Sequence, residues 1–232
     1  MLDDYKNPSN ASPDMDYFKK YPAPMFEAMF NQHIGEMNST TPYYGPLMYW
    51  LIRAVGAINV MEIGVAQGWT SYFMACGVAD ESARYGVEGT YYAVDIADKG
   101  PLMKAMKDRG ANVKFIQKDS LDLVPEDFDN KKLDLVFQDG WHSSEYVMDE
   151  LAILMPHLKD KGDGYWIMHD IYAWCEEVYP EVLKKYDWES IRFLRNYGLG
   201  VLRNMTNYDK GKVYWPTGPQ KPPYPGKDEV VL

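Results

Sequence analysis

The chain has 232 residues, 46% of them apolar, which is enough for one large core and cramped for two full domains. Its 34 acidic against 24 basic residues leave a net charge of -10, which opposes any surface that gains affinity by neutralising phosphates and so sets nucleic acid aside. Only two cysteines occur, Cys76 and Cys175, outside any spaced ligand cluster, and there is neither a basic-then-apolar leader nor a run of about 18 apolar residues; a cytoplasmic chain with no membrane partner is expected.

Residues 1–24 are polar, broken by aromatics and by Pro8, Pro13, Pro22 and Pro24, a composition suited to an arm lying on another surface. A helix is expected at about Pro24 to Gln32 and a second, apolar around much of its circumference, at Gly45 to Val55. From Ile58 short apolar runs alternate with helical stretches. Strands are expected at Asn59–Ile63, Thr90–Val94, Val113–Ile116, Leu133–Phe137 and Tyr165–Met168. Helices fall between them at Trp69–Val78, Pro101–Arg109 and Ser144–His157, with another at Tyr172–Lys185. Short buried strands joined by helical crossovers predict an α/β fold, a mostly parallel sheet with helices on both faces. Trp188–Leu194 and Gly200–Arg203 follow too closely for a crossover, so they predict an antiparallel hairpin ending a seven-stranded sheet. The chain thus reads as one domain over 1–232: an arm and helices over 1–57, the core over 58–203, and a Pro-, Gly- and Tyr-rich surface strap over 204–232.

Two clusters fall at strand ends. In the first, Glu62, Gly64 and Gly68 occupy the turn from the first strand into its helix, where glycines let a ligand approach the backbone and the helix N-terminus offers N–H donors. The spacing is not Gly-x-Gly-x-x-Gly, because Gly64 has no glycine two positions away, and no Gly-Lys-Ser/Thr ends a phosphate loop. Asp95 ends the second strand, and Asp119 and Ser120 follow the third. A carboxylate after a strand can accept from both hydroxyls of a vicinal diol. In the second cluster, Asp139 and His142 follow the fourth strand, while His169 and Asp170 end the fifth. Two carboxylates and two imidazoles converging on one crevice can hold a divalent metal or supply a base.

The segment Val60 to Thr70, with Asp95 after it, resembles the first motifs of class I S-adenosylmethionine-dependent methyltransferases. That resemblance implies a Rossmann-like fold. It also implies S-adenosylmethionine as cofactor, with Gly64 and Gly68 beside its amino acid portion, Asp95 on the ribose hydroxyls, and Asp119 and Ser120 near the adenine. Glu62 and Asp139 complete the cofactor-contacting set. The segments around Asp139, His169 and Gly198–Leu202 are similar to the branch of macrocin O-methyltransferase and cephalosporin hydroxylase-like proteins, over roughly Val60 to Arg203. In related enzymes acidic residues at the fourth and fifth strand ends hold magnesium beside a sugar or diol hydroxyl, which implies metal ligands at Asp139 and Asp170, with His169 next to them. His169 stands where several metal-dependent relatives carry a second acidic residue. A hard ion prefers oxygen, so the site has no metal, holds it with fewer protein oxygens, or takes a softer ion such as manganese.

A neutral imidazole suits His142 to the role of general base, with Asp139 orienting nucleophile or metal. Trp69, Trp141, Tyr146, Tyr172 and Trp174 are candidates to shape a pocket for a small-molecule acceptor. The expected activity is O-methylation of a sugar-bearing or polyhydroxylated small molecule. A noncatalytic binding protein that keeps the same core is the alternative, and hydrolase or oxygenase chemistry on the His/Asp group is a third. The aromatic arm and Pro-rich tail predict a homo-oligomer, a dimer in its simplest closed form.

Overall fold

The computed structural model describes residues 44–66, 68–107, 110–193 and 197–209. The arm, the helix expected at Pro24 to Gln32 and the tail from residue 210 onward lie outside the described residues. In chain order the elements are α1 (Tyr44–Val55), β1 (Asn59–Ile63), α2 (Trp69–Tyr85), β2 (Thr90–Asp95), α3 (Gly100–Lys107) and β3 (Val113–Gln117). There follow β4 (Leu135–Gln138), α4 (Ser144–Leu154), β5 (Tyr165–His169), α5 (Val178–Lys185), β6 (Trp188–Phe193) and β7 (Leu199–Asn204). They build a seven-stranded sheet of order β3-β2-β1-β4-β5-β7-β6. β1 pairs in parallel with β2 and β4, while β7 runs antiparallel to both β5 and β6, so the expected hairpin closes the sheet.

Each central strand is apolar on both faces because each face is covered, as a parallel sheet requires. Alternate residues feed two cores. Val60, Tyr91, Ala93, Leu135 and Phe137 pack toward Met48 and Ile52 of α1, Phe73 of α2 and Met103 of α3. Met61, Tyr92, Val94, Val136 and Trp166 pack on the other side toward Leu151 of α4 and Val182 of α5. Among the described residues no helix is long and apolar enough to cross a membrane. Cys76 and Cys175 are buried and are not joined in a disulfide.

Three helix boundaries differ from expectation by three or more residues, for local reasons. α2 runs on past Val78 to Tyr85, because Arg53 of α1 pairs with Asp80 (3.2 Å) and Glu81 and so anchors its polar last turns; it stops at Gly86, φ 66°, whose N–H caps Ser82. α4 gives way to a 3₁₀ turn at Met155–His157, where Pro156 has no N–H for a further α-helical bond. The helix expected from Tyr172 begins only at Val178. Asp170 leaves β5 in the left-handed region at φ 58°, and its carbonyl accepts from the N–H groups of Ala173 and Cys175, which winds 171–177 into turns instead.

Candidate functional site

The carboxyl ends of β1, β2, β3 and β4 surround a crevice of about 180 Å³ that opens to solvent. Its walls include Ile63, Gly64, Asp95, Ser120, Gly140 and Tyr146, with Ile96, Lys118 and Trp141 at the rim. Ligands gather at this edge of an open α/β sheet because loops and helix N-termini converge there.

Gly64 sits at φ 86° at the point where β1 leaves the sheet. Its N–H bonds Val94 O (2.9 Å) on the β2 side, while Ile63 O accepts from Asp139 N (2.9 Å) on the β4 side. A side chain at Gly64 would enter the Asp139 backbone, its Cβ 2.2 Å from the carbonyl oxygen, so the loop keeps that approach only with glycine. Gly68, φ 83°, precedes α2 and leaves space filled by Leu102. Between the two glycines the loop is held by Asp95. Its Oδ2 accepts from Val65 N (3.0 Å) and Ala66 N (3.3 Å) and its Oδ1 from Ala97 N (2.8 Å), with Lys99 Nζ 3.8 Å away.

Glu62 does not reach the crevice. It is 1% exposed on the face of β1 shared with Val60, beneath α2, where the hydroxyls of Ser71 and Tyr91 donate to Oε2. Burial pushes its carboxyl up to about 8, against those two hydrogen bonds. Its place is therefore a buried polar cluster of the core, and the expected direct cofactor contact is corrected on that ground. Asp119 accepts from Leu121 N (3.0 Å) and from the Tyr146 hydroxyl, and those bonds hold its carboxyl low. Tyr146, a candidate for the acceptor pocket, lines the crevice, whereas Trp69 is 2% exposed and packs edge-on against Phe73 in the core. Trp141, Tyr172 and Trp174 remain exposed on loops at the same edge of the sheet.

The second cluster closes the ends of β4 and β5. His142 lies with Nε2 3.5 Å from Asp139 Oδ1 and Nδ1 3.3 Å from Asp170 Oδ2. One ligand atom from each of Asp139, His142 and Asp170 falls within 4.8 Å of the others, a spacing that suits one cation. His169 is placed differently. Its Nδ1 is gripped by Asp139 Oδ1 at 2.9 Å and Asp170 Oδ1 at 3.0 Å, and the ring is edge-on to Tyr44 of α1 at 5.3 Å. Burial opposes its charge, but the two carboxylates prevail and hold its pKa up to about 10. Burial likewise opposes ionisation of Asp139, and His169 with His142 overcomes it to hold that carboxyl low. His169 Nδ1 thus lies between the two carboxylates and is placed to brace them, while the three side chains whose ligand atoms come together are Asp139, His142 and Asp170.

Sequence reading overlooked Glu150 and Gln138, both fully buried below the crevice floor. The available signal was a carboxylate on the inner stripe of α4, in register with Val147, Leu151 and Leu154.

Residues 61–171 match the model of a family described as a methyltransferase domain. No curated protein matches the chain. Among solved structures, a methyltransferase from Geobacter sulfurreducens is similar at 15% identity and TM-score 0.60, over 78% of this chain and 89% of that one. The Podospora anserina methyltransferase bound to S-adenosylhomocysteine is similar at 15% identity and TM-score 0.60, over 85% and 96%. An O-methyltransferase from Bacillus cereus in complex with S-adenosylhomocysteine is similar at 13% identity and TM-score 0.53, over 82% and 96%. The fold is that of the class I methyltransferases.

Proposed function

We propose that this chain, whose residues 61–171 match the model of a methyltransferase domain, binds S-adenosylmethionine in the Gly64–Asp95–Ser120 crevice and methylates a hydroxyl of a sugar-bearing or polyhydroxylated small molecule. The observation that carries the proposal is the joining of a bare glycine turn at β1 to a loop-facing carboxylate at the end of β2, on one crevice with the Asp139–His142–Asp170 group beside it. When bound, the cofactor supplies an electrophilic methyl group, and the protein's part is alignment of acceptor oxygen, methyl carbon and departing sulfur. Asp95 already spends three of its roughly four acceptor positions on backbone N–H groups. A ribose diol then gains its second hydrogen bond at the cost of the Ala66 contact, the longest of the three at 3.3 Å. Ile96 and Trp141, 74% and 69% exposed, give apolar surface for a flat base.

Asp139, His142 and Asp170 would hold a divalent ion, and one imidazole among two carboxylates suits manganese better than magnesium. Such an ion supplies Lewis-acid charge to orient an acceptor hydroxyl. The deciding experiment is calorimetry. S-adenosylmethionine and S-adenosylhomocysteine should bind while NAD does not, and Asp95→Ala should weaken binding by about 1 to 3 kcal/mol. A response to NAD alone rejects the proposal, and tight cofactor binding with no S-adenosylhomocysteine formed from any polyol or glycoside returns the chain to a noncatalytic role. We further propose a cytoplasmic homodimer held by the terminal segments. Light scattering should give twice the monomer mass for the full chain and a lower mass for a variant starting at Pro24, and a full chain that stays monomeric refutes that assembly.

A further inference from the structure

The turn between β2 and α3 grips the β1–α2 loop from both ends. Asp95 ends β2, and Lys99 stands immediately before α3. The backbone of Lys99 is fixed on either side: its carbonyl accepts from Met103 N at 3.0 Å, and Asp98 Oδ1 accepts from Gly100 N at 2.7 Å. Together the two side chains hold both polar backbone groups of Ala66. Its N–H donates to Asp95 Oδ2 at 3.3 Å, and its carbonyl accepts from Lys99 Nζ at 2.6 Å. Ala66 sits at φ 45°, in the left-handed region that a side chain disfavours, so contacts from outside the loop must keep it there. Of the two, the bond from the ammonium is the shorter, and a charged donor makes the stronger hydrogen bond. The Lys99 side chain is only 22% exposed, with Nζ 3.8 Å from Asp95 Oδ2, so the ammonium lies on the loop instead of in open water.

We infer that Lys99 is a positioning residue for the cofactor: its hold on the Ala66 carbonyl keeps the β1–α2 loop in its turn when the ribose diol takes the Asp95 acceptor position that the Ala66 N–H occupies. This role rests on the cofactor assignment above. Once its N–H is released from Asp95, Ala66 would relax out of the left-handed region and carry the loop with it, and the bond from Lys99 opposes that step. Apparent affinity falls with the share of molecules whose loop is ready to bind, so a loop out of its turn for about nine-tenths of the time raises the dissociation constant about tenfold. Charge acts in the opposite sense. Loss of a cation beside the site would by itself favour the sulfonium cofactor, so a weakened affinity for it reports the hydrogen bond and not the field.

Calorimetry on the full chain with S-adenosylmethionine and S-adenosylhomocysteine tests this. Lys99→Met, which keeps a long unbranched side chain without the ammonium, should raise both dissociation constants about tenfold, equivalent to about 1.4 kcal/mol. Lys99→Arg restores a charged donor and should bind within about threefold of wild type. A double-mutant cycle with Ala66→Gly separates the hold on Ala66 from any general effect of the substitution. Glycine takes φ 45° without steric cost, so in a chain carrying Ala66→Gly the Lys99→Met change should raise the dissociation constants by only about threefold or less. A Lys99→Met protein that binds both cofactors as wild type does overturns the inference. A loss as large with Ala66→Gly as without it overturns the inference too, because Lys99 then acts other than through the Ala66 turn. Both results leave the cofactor assignment intact. If Lys99→Met does not fold, Lys99→Gln is read in its place with the same outcomes. Wild type that binds neither compound overturns the cofactor assignment and this inference with it.

Discussion

Gly64→Ala should lower stability by about 2 to 4 kcal/mol and abolish measurable cofactor binding at micromolar concentrations. Two costs combine there. The backbone sits at φ 86°, a region that costs a non-glycine residue about 1 kcal/mol or more. The added Cβ would lie 2.2 Å from the Asp139 carbonyl oxygen and 2.9 Å from Gly140 Cα, and backbone gives way less readily than a side-chain tip, at about 1 to 3 kcal/mol. For a chain of this size the sum corresponds to a melting temperature lower by roughly 5 to 15 °C. The displaced atoms are those that join the crevice to the Asp139–His142 group, so relief of the clash moves both at once. Gly86→Ala is the control, since it has φ 66° with nothing within 4 Å and should show the conformational cost alone, about 1 kcal/mol, with binding unchanged. Equal losses in the two variants, read by thermal melting and calorimetry, would remove the steric claim at Gly64.

The sheet was legible because its strands are continuous apolar runs, and the residue ending each run falls at the ligand edge. Asp95 and Asp170 are examples: Val94 and His169 are buried just before them, and at each the chain turns out of the sheet. Period two also contained the answer for Glu62, which shares a face with Val60 and so points under α2; the motif resemblance outweighed that simpler geometric sign. His169 was less accessible to sequence. Its neighbours Asp139 and Asp170 are known from strand ends, but the edge contact with Tyr44 depends on how α1 crosses the sheet, a long-range packing fact with no local pattern. The same holds for Glu150, whose partner Ser120 lies 30 positions away in a 3₁₀ turn after β3. Trp69 was misplaced for a related reason, because an aromatic side chain fits core and pocket equally well until the helix rotation is known.

His142→Ala should reduce turnover by roughly 10²- to 10⁴-fold, and the structure gives two roles that the same loss could report. As a base, the imidazole must turn a free nitrogen toward an acceptor hydroxyl. Both ring nitrogens instead face carboxylates, Nδ1 toward Asp170 at 3.3 Å and Nε2 toward Asp139 at 3.5 Å, an arrangement that favours shared ligation over proton removal. Asp170 reaches the site only through its left-handed backbone at φ 58°, and His169 fixes Asp139 from behind at 2.9 Å, so the two carboxylates are held while His142 completes the set. On that ground His142→Ala should raise the manganese concentration needed for half-maximal activity by about 10- to 100-fold, and excess manganese should recover part of the rate. His142→Asn, which replaces the nitrogen ligand by an oxygen, should shift the preference toward magnesium. Chelation of the wild type should suppress turnover while S-adenosylhomocysteine affinity stays within about twofold, because the crevice and the acidic pair are separate sets of atoms. Full activity in a metal-stripped sample, with His142→Ala still slow, would leave His142 as the base; near-normal turnover of His142→Ala would leave it as a packing residue and move the proton-accepting role to Asp139.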